Sequence, residues 1–238
     1  MDPPNSMNHF YGMLREKYKT EIRKAQNTSL FSFKRLAFQT VPASPASEKP
    51  LHTQKSETML NEILIKLSKK LSEDNLLENL IFLRKQTSDQ PSNNLAIIYL
   101  LTNGFLEILY SFMQDFFSYG QLVQDELLWI CCNISFLSSK DIPLIKMDRL
   151  VGLLKKCLFS KYYKQTEMVL WTLNNLSDDD SDCREAIVRE GILLVMREKI
   201  ANSNVINIDI LKCFIITLHA ISKEEKGKFL TEVIYRTN

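Results

Sequence analysis

The chain has 238 residues, 45% hydrophobic and 24% charged, which is enough apolar sequence for a real core in one large domain or two small ones. The net charge of +2 hides an asymmetry, with nine Lys+Arg against five Asp+Glu in residues 1–57 and an acidic excess after them; a basic tail of this kind suits the acidic body or another acidic partner. The first residues, MDPPNSMNHF, contain no apolar run of the secretory kind, and the five cysteines (Cys131, Cys132, Cys157, Cys183, Cys213) show no CxxC spacing, so buried reduced thiols in an intracellular protein are expected.

Residues 1–10 read as disordered. Residues 11–37, YGMLREKYKTEIRKAQNTSLFSFKRLA, combine helix-forming residues with positive charge. The tail segment as a whole is placed at 1–40. Residues 41–57, VPASPASEKPLHTQKSE, are rich in Pro, Ser and charge and read as a flexible linker. Ser44-Pro45 within it is a turn signal.

From residue 58 to 238 the pattern is helical almost throughout. Leu60, Ile63, Leu64, Leu67 and Leu71 recur at spacings of three and four, the period of one helix face. No stretch alternates as a half-buried strand does. The most apolar stretch, around 95–113, is interrupted by Thr102, Asn103 and Glu107, which argues against a membrane span. Gly104 and Gly191 each stand before an apolar helix, in NGFLEILYSF and EGILLVMREK, where a left-handed residue between helices is expected. Asp182-x-x-Glu185 reads as a capping box that starts the helix before Gly191.

Trp129 and Trp171, the two tryptophans, lie 42 residues apart, in LLWICCNIS and VLWTLNNLS. Each precedes an asparagine, Asn133 or Asn175, by four positions. A period of this length indicates stacked helical repeats of the HEAT or armadillo kind. Four units follow, at about 76–117, 118–160, 161–203 and 204–238, behind a capping helix at 58–75. Each is too small to bury its own apolar face, so stacking makes one continuous core. Trp and Asn at i and i+4 share a helix face, and repetition turns the pair into a ladder. Such a ladder suits an extended peptide. Asparagine amides offer donor and acceptor to an unpaired backbone, while tryptophan faces accept the stems of Lys or Arg with a cation–π gain of about 0.5–2 kcal/mol each.

The same residues resemble importin alpha, the adaptor family that carries nuclear localisation signals. WICCNIS and WTLNNLS are similar to the Trp-x-x-x-Asn helix of its armadillo repeats. VLWTLNNLSDDDSDCREAIVREGILLVM resembles its third repeat, and EIRKA followed by Lys34-Arg35 resembles the importin-beta-binding helix that precedes the repeats. The resemblance implies a right-handed, all-α armadillo-repeat solenoid of about four repeats behind a basic helix and linker. It implies that Trp129, Asn133, Trp171 and Asn175 line the signal-binding groove, that Asp179 supplies the carboxylate of the key lysine pocket, and that Glu167 is the acidic residue one turn before Trp171. Arg15, Arg23, Lys24, Lys34 and Arg35 would bind importin beta or occupy the groove in self-inhibition. Partners would be cargo proteins bearing nuclear localisation signals, shuttling between cytoplasm and nucleus. The chain departs from the family in two ways. The fourth unit, ILKCFIITLHAIS, has Ile216 and Ala220 at the Trp and Asn positions, and the tail has no dense arginine cluster before EIRKA. With about four units instead of about ten, the chain is expected to be a fragment or a short divergent form.

The alternative on the same fold is an armadillo interaction scaffold with no role in import, its tryptophans packed inward. Nothing in the chain suggests catalysis, since no nucleophile–base pair, metal-ligand spacing or phosphate loop is legible; no cofactor and no metal are expected. His9, His52 and His219 are scattered and receive no role. At least one of Asp178, Asp179 and Asp180 is expected to be solvated loop. The basic tail suffices for weak nonspecific nucleic-acid or membrane binding, but protein partners fit the order tail, linker, repeats better. Oligomeric state is not legible.

Overall fold

The computed structural model describes residues 54–88, 95–135, 147–179, 181–201, 211 and 214–219. All lie in one compact unit, Pro50–Asn238. The basic segment with Arg15, Arg23, Lys24, Lys34 and Arg35 lies outside them, as does the linker up to residue 53. Every regular element among the described residues is helical.

The first helix, α1 (Gln54–Leu67), begins inside the expected linker. Glu57 in its first turn and Lys66 in its last complement the helix dipole, and Leu60, Ile63, Leu64 and Leu67 are buried. α2 (Glu73–Ser88) follows, with Glu73 and Asp74 in its first turn. α3 (Leu95–Thr102) and α4 (Phe105–Gln114) meet at 78°, and a short 3-10 turn, Phe116–Ser118, leads into α5 (Gln121–Ile134). Then come α6 (Asp148–Cys157), α7 (Tyr163–Asp179), α8 (Ser181–Arg189) and α9 (Ile192–Ala201). Residues 214–219 are helical again. No single described helix is long and apolar enough to cross a membrane. Leu100, Leu101, Phe105, Leu109 and Met113 of the apolar 95–113 stretch are buried within the protein.

The helices form two layers. The long helices α2, α5 and α7 stack side by side, α2 on α5 and α5 on α7. The shorter helices form the second layer, in which α1 packs on α3, α4 on α6, and α6 on α8. Burying one Leu, Ile or Val side chain contributes about 1.5–3 kcal/mol, and each of the nine helices named above contributes buried apolar residues, from Leu60 to Met196. This is the armadillo-type solenoid. α5 packs against α4 before it, while α7 packs against both α6 before it and α8 after it.

Side-chain contacts join neighbouring units. The Arg84 guanidinium pairs with Glu126, 42 positions on. Arg149 bonds Glu107 at 3.0 Å, also 42 apart, and lies over the Tyr110 ring at 4.6 Å. Gln165 bonds Gln124 and Asp125 at separations of 41 and 40. Gly104 and Gly191 have φ of +85° and +67°, the left-handed region expected at both turns. α8 starts at Ser181 and carries Asp182 in its first turn, where its charge favours the helix dipole.

Candidate functional site

The surface to consider is the stack of long helices, since it carries both Trp-x-x-x-Asn pairs. On α5, Trp129 is half-buried and Asn133 is only 2% exposed. The Asn133 Nδ2 donates to Thr87 Oγ1 of α2 at 3.1 Å. On α7, Trp171 is 7% exposed, and Asn175 is half-buried. The Asn175 Nδ2 donates to Ser135 Oγ at 3.2 Å and to the Cys132 carbonyl at 3.5 Å. Both amides therefore stitch one long helix to the one before it. Trp171 packs inward, as the scaffold alternative expects, while Trp129 keeps part of its ring at the surface.

Glu167 is half-buried one turn before Trp171. Asp179 is the last residue of α7; its side chain lies outside the described residues, as do those of Asp178 and Asp180. Ile216 falls in the helical stretch 214–219 and is half-buried, while Ala220 lies outside the described residues.

Beneath the ladder is a polar network. Gln165 is fully buried. Its Nε2 donates to Asp125 Oδ1 at 2.7 Å and to Gln124 Oε1 at 3.2 Å, while its Oε1 accepts from Ser160 Oγ at 2.6 Å. Burial raises the Glu126 carboxyl pKa above its usual value, against the opposing pull of Arg84. Lys199 of α9 reaches across to the end of α6 and the start of α7. Its ammonium donates to the carbonyls of Leu158 and Ser160 and to Thr166 Oγ1. Partial burial lowers its pKa, and the three accepting oxygens oppose that shift by holding the charged form. The thiols of Cys131, Cys132, Cys157 and Cys183 are buried. Burial pushes the Cys157 thiol up to about 12 and raises Cys131 as well, so they are packing groups. No His/Cys/Asp/Glu group among the described residues has metal-binding geometry.

The sequence reading missed α2 as part of this surface. Its buried row Leu76, Leu80, Leu83 matches Val123, Leu127, Ile130 on α5 and Gln165, Val169, Thr172 on α7. In that alignment Phe82 takes the position of Trp129 and Gln86 the position of Asn133. Phe82 and Gln86 are both half-buried. The available signal was the spacing Phe-x-x-x-Gln. It was hidden because the step from α2 to α5 is 47 residues, the separation of Glu73 and Gly120, which are joined by a 2.7 Å hydrogen bond.

No family model matches the chain, and no curated protein matches it. Solved structures do. An engineered protein known from its crystal structure is 21% identical, with a TM-score of 0.59 over 76% of this chain and 68% of its own. A computationally designed armadillo repeat protein for modular peptide recognition is 17% identical, TM-score 0.55, over 66% of this chain and 62% of its own. A designed armadillo repeat protein in complex with the peptide (KR)4 is 19% identical, TM-score 0.54, over 69% of each chain. At these identities the likeness establishes the armadillo-type fold.

Proposed function

We propose that this chain is a protein-interaction scaffold that holds an extended, lysine-rich segment of a partner along the surface of α2, α5 and α7. The observation that carries the reading is the in-register stack of these helices. It sets a half-buried tryptophan, Trp129, beside a neighbouring helix that bears Glu167. An aromatic face next to carboxylates suits the stem and head of a basic side chain. The neighbouring fold that holds (KR)4 supports the same ligand class. The finer form of this proposal is a nuclear import adaptor, with a nuclear localisation signal as the bound segment and importin beta recruited by Arg15, Arg23, Lys24, Lys34 and Arg35, in cytoplasm and nucleus. It draws its support from the order of tail, linker and repeats.

A scaffold without a role in import is the second reading. The inward packing of Trp171 and the internal bonding of Asn133 favour it.

Titration with a lysine-rich nuclear localisation peptide, followed by isothermal calorimetry, tests the proposal. Trp171→Ala is the wrong probe, since emptying a buried Trp site costs about 3–5 kcal/mol of stability. Trp129→Ala is the right one. Micromolar binding that Trp129→Ala weakens at least tenfold, about 1.4 kcal/mol, is the expected result. A folded protein that binds no such peptide would leave the scaffold reading in its place.

A further inference from the structure

We infer that the two turns leading into α5 and α7 form a docking edge for an anionic lipid surface, which takes their apolar tips into its headgroup layer and their lysines against its phosphates. The edge is separate from the peptide surface, since Trp129 stands about two turns further along α5 than Leu122. Four large apolar side chains that the fold leaves open lie here. Phe117 and Leu122 are 56% and 66% exposed, Phe159 and Tyr163 66% and 56%. Phe117 and Phe159 have the same separation as the two tryptophans, so both units carry the feature at the same place.

Hydrogen bonds bring the two turns together. Gln165, two positions after Tyr163, donates to Gln124, two positions after Leu122, and to Asp125. The tips are also held from behind. Phe117 meets the buried Phe116 edge to face at 5.2 Å, and the Tyr119 carbonyl accepts from Gln124 Nε2 at 2.7 Å. In the other turn the Ser160 hydroxyl accepts from the Tyr162 N–H at 3.1 Å and donates to Gln165. Lys199 donates to the Leu158 and Ser160 carbonyls on either side of Phe159. Turns fixed in this way lower the ordering cost of docking.

The charge at this edge selects its partner. Residues 115–122 and 155–164 contain one carboxylate, Asp115, and four lysines. The Glu73 carboxylate nearby is bonded to the Gly120 N–H. Lys164 acts on the Glu126 carboxyl, which leaves Lys155, Lys156 and Lys161 as the flanking charges. Lys156 and Lys161 are exposed and Lys155 is half-buried, and the Lys161 ammonium stands 5.1 Å from the centre of the Tyr162 ring. These lysines repel the chain's own basic tail, and a second copy would set lysine against lysine. Single-stranded nucleic acid would stack on Phe117, Phe159 and Tyr163, but it offers nothing apolar to Leu122, which is as exposed as Phe159. An anionic bilayer answers both demands. Its interface takes apolar side chains to a depth of about 5–10 Å, and its surface potential attracts lysines, each contributing about fivefold to partitioning.

The test sediments the full chain with phosphatidylcholine vesicles, with and without phosphatidylserine. Binding to the phosphatidylserine vesicles is expected, weakened about tenfold by Leu122→Ser or Phe159→Ser and about fivefold by Lys161→Gln. The basic tail also attracts anionic lipid, so a second readout is confined to the edge. In a Phe159→Trp variant, lipid with brominated acyl chains is expected to quench the added tryptophan beyond any quenching of the wild type. Binding that Leu122→Ser and Phe159→Ser leave unchanged, with no added quenching, assigns the lipid contact to the tail and overturns the edge. Absence of vesicle binding by the wild type overturns it as well. Oligouridylate binding that Phe159→Ser weakens and Leu122→Ser does not, without vesicle binding, overturns it in favour of nucleic acid. Should a serine variant fail to fold by circular dichroism, Lys161→Gln and the tryptophan readout decide. None of these outcomes bears on the peptide surface.

Discussion

Asn133 and Trp171 are both buried, at 2% and 7% exposure. A Trp-x-x-x-Asn pair places two side chains on one helix face, and nothing in the pair says how near the next helix lies. α2 comes close enough to bury Asn133 and engage its amide. The same applies to the cysteines. Their burial was expected from their number and spacing, and all four described thiols are buried. Burial raises the pKa of Cys131 and Cys157 above that of an ordinary thiol, which removes the reactive thiolate at neutral pH. Iodoacetamide is therefore expected to leave Cys131, Cys132, Cys157 and Cys183 unmodified in the native protein and to label them in urea, as read by peptide mass spectrometry. Native-state labelling of Cys157 as fast as of a free thiol would contradict the packing described.

Helix identity was the more legible level. Apolar spacing of three and four located the helices, and glycine located two of their junctions. Gly104 and Gly191 adopt positive φ at matching places, where an L side chain costs about 1–2 kcal/mol. A Cβ at Gly104 would meet nothing within 4 Å, and one at Gly191 would meet only Leu194 Cδ1 at 3.9 Å. The penalty at both is thus backbone strain without a clash. Gly104→Ala and Gly191→Ala should each lower stability by about 1 kcal/mol in urea unfolding; a neutral or stabilising effect at either would mean that junction is not held left-handed. Helix starts were less legible. Asp182 matched a capping pattern and stands in the first turn of α8, a placement that shows only that acidic residues favour the cap and the first turn alike.

The units of the whole molecule are joined by side-chain contacts, and Lys199 makes three of them. It joins α9 to the end of α6 and the start of α7 through three oxygens. Replacing it with methionine keeps the stem but leaves those acceptors without that donor. Lys199→Met should cost about 1–3 kcal/mol and let α8 and α9 open before the helices preceding them, since each repeat is held only by its neighbours. Hydrogen exchange would show this as early loss of protection in α8 and α9. Uniform loss across α1 to α9 would instead mean the solenoid unfolds as a single block.

The sequence by itself determined the helical class, the 42-residue period, the two glycine junctions and the identity of the Trp–Asn pairs. These depend on spacing along the chain, and spacing survives in any packing. Tertiary structure alone decided the inclusion of α2 in the surface and which tryptophan keeps part of its ring in reach of solvent. Those depend on which helix lies against which and on a 47-residue step that breaks the period. Both are set by how apolar rows such as Leu76–Leu80–Leu83 and Val123–Leu127–Ile130 dock, a choice that no local pattern encodes.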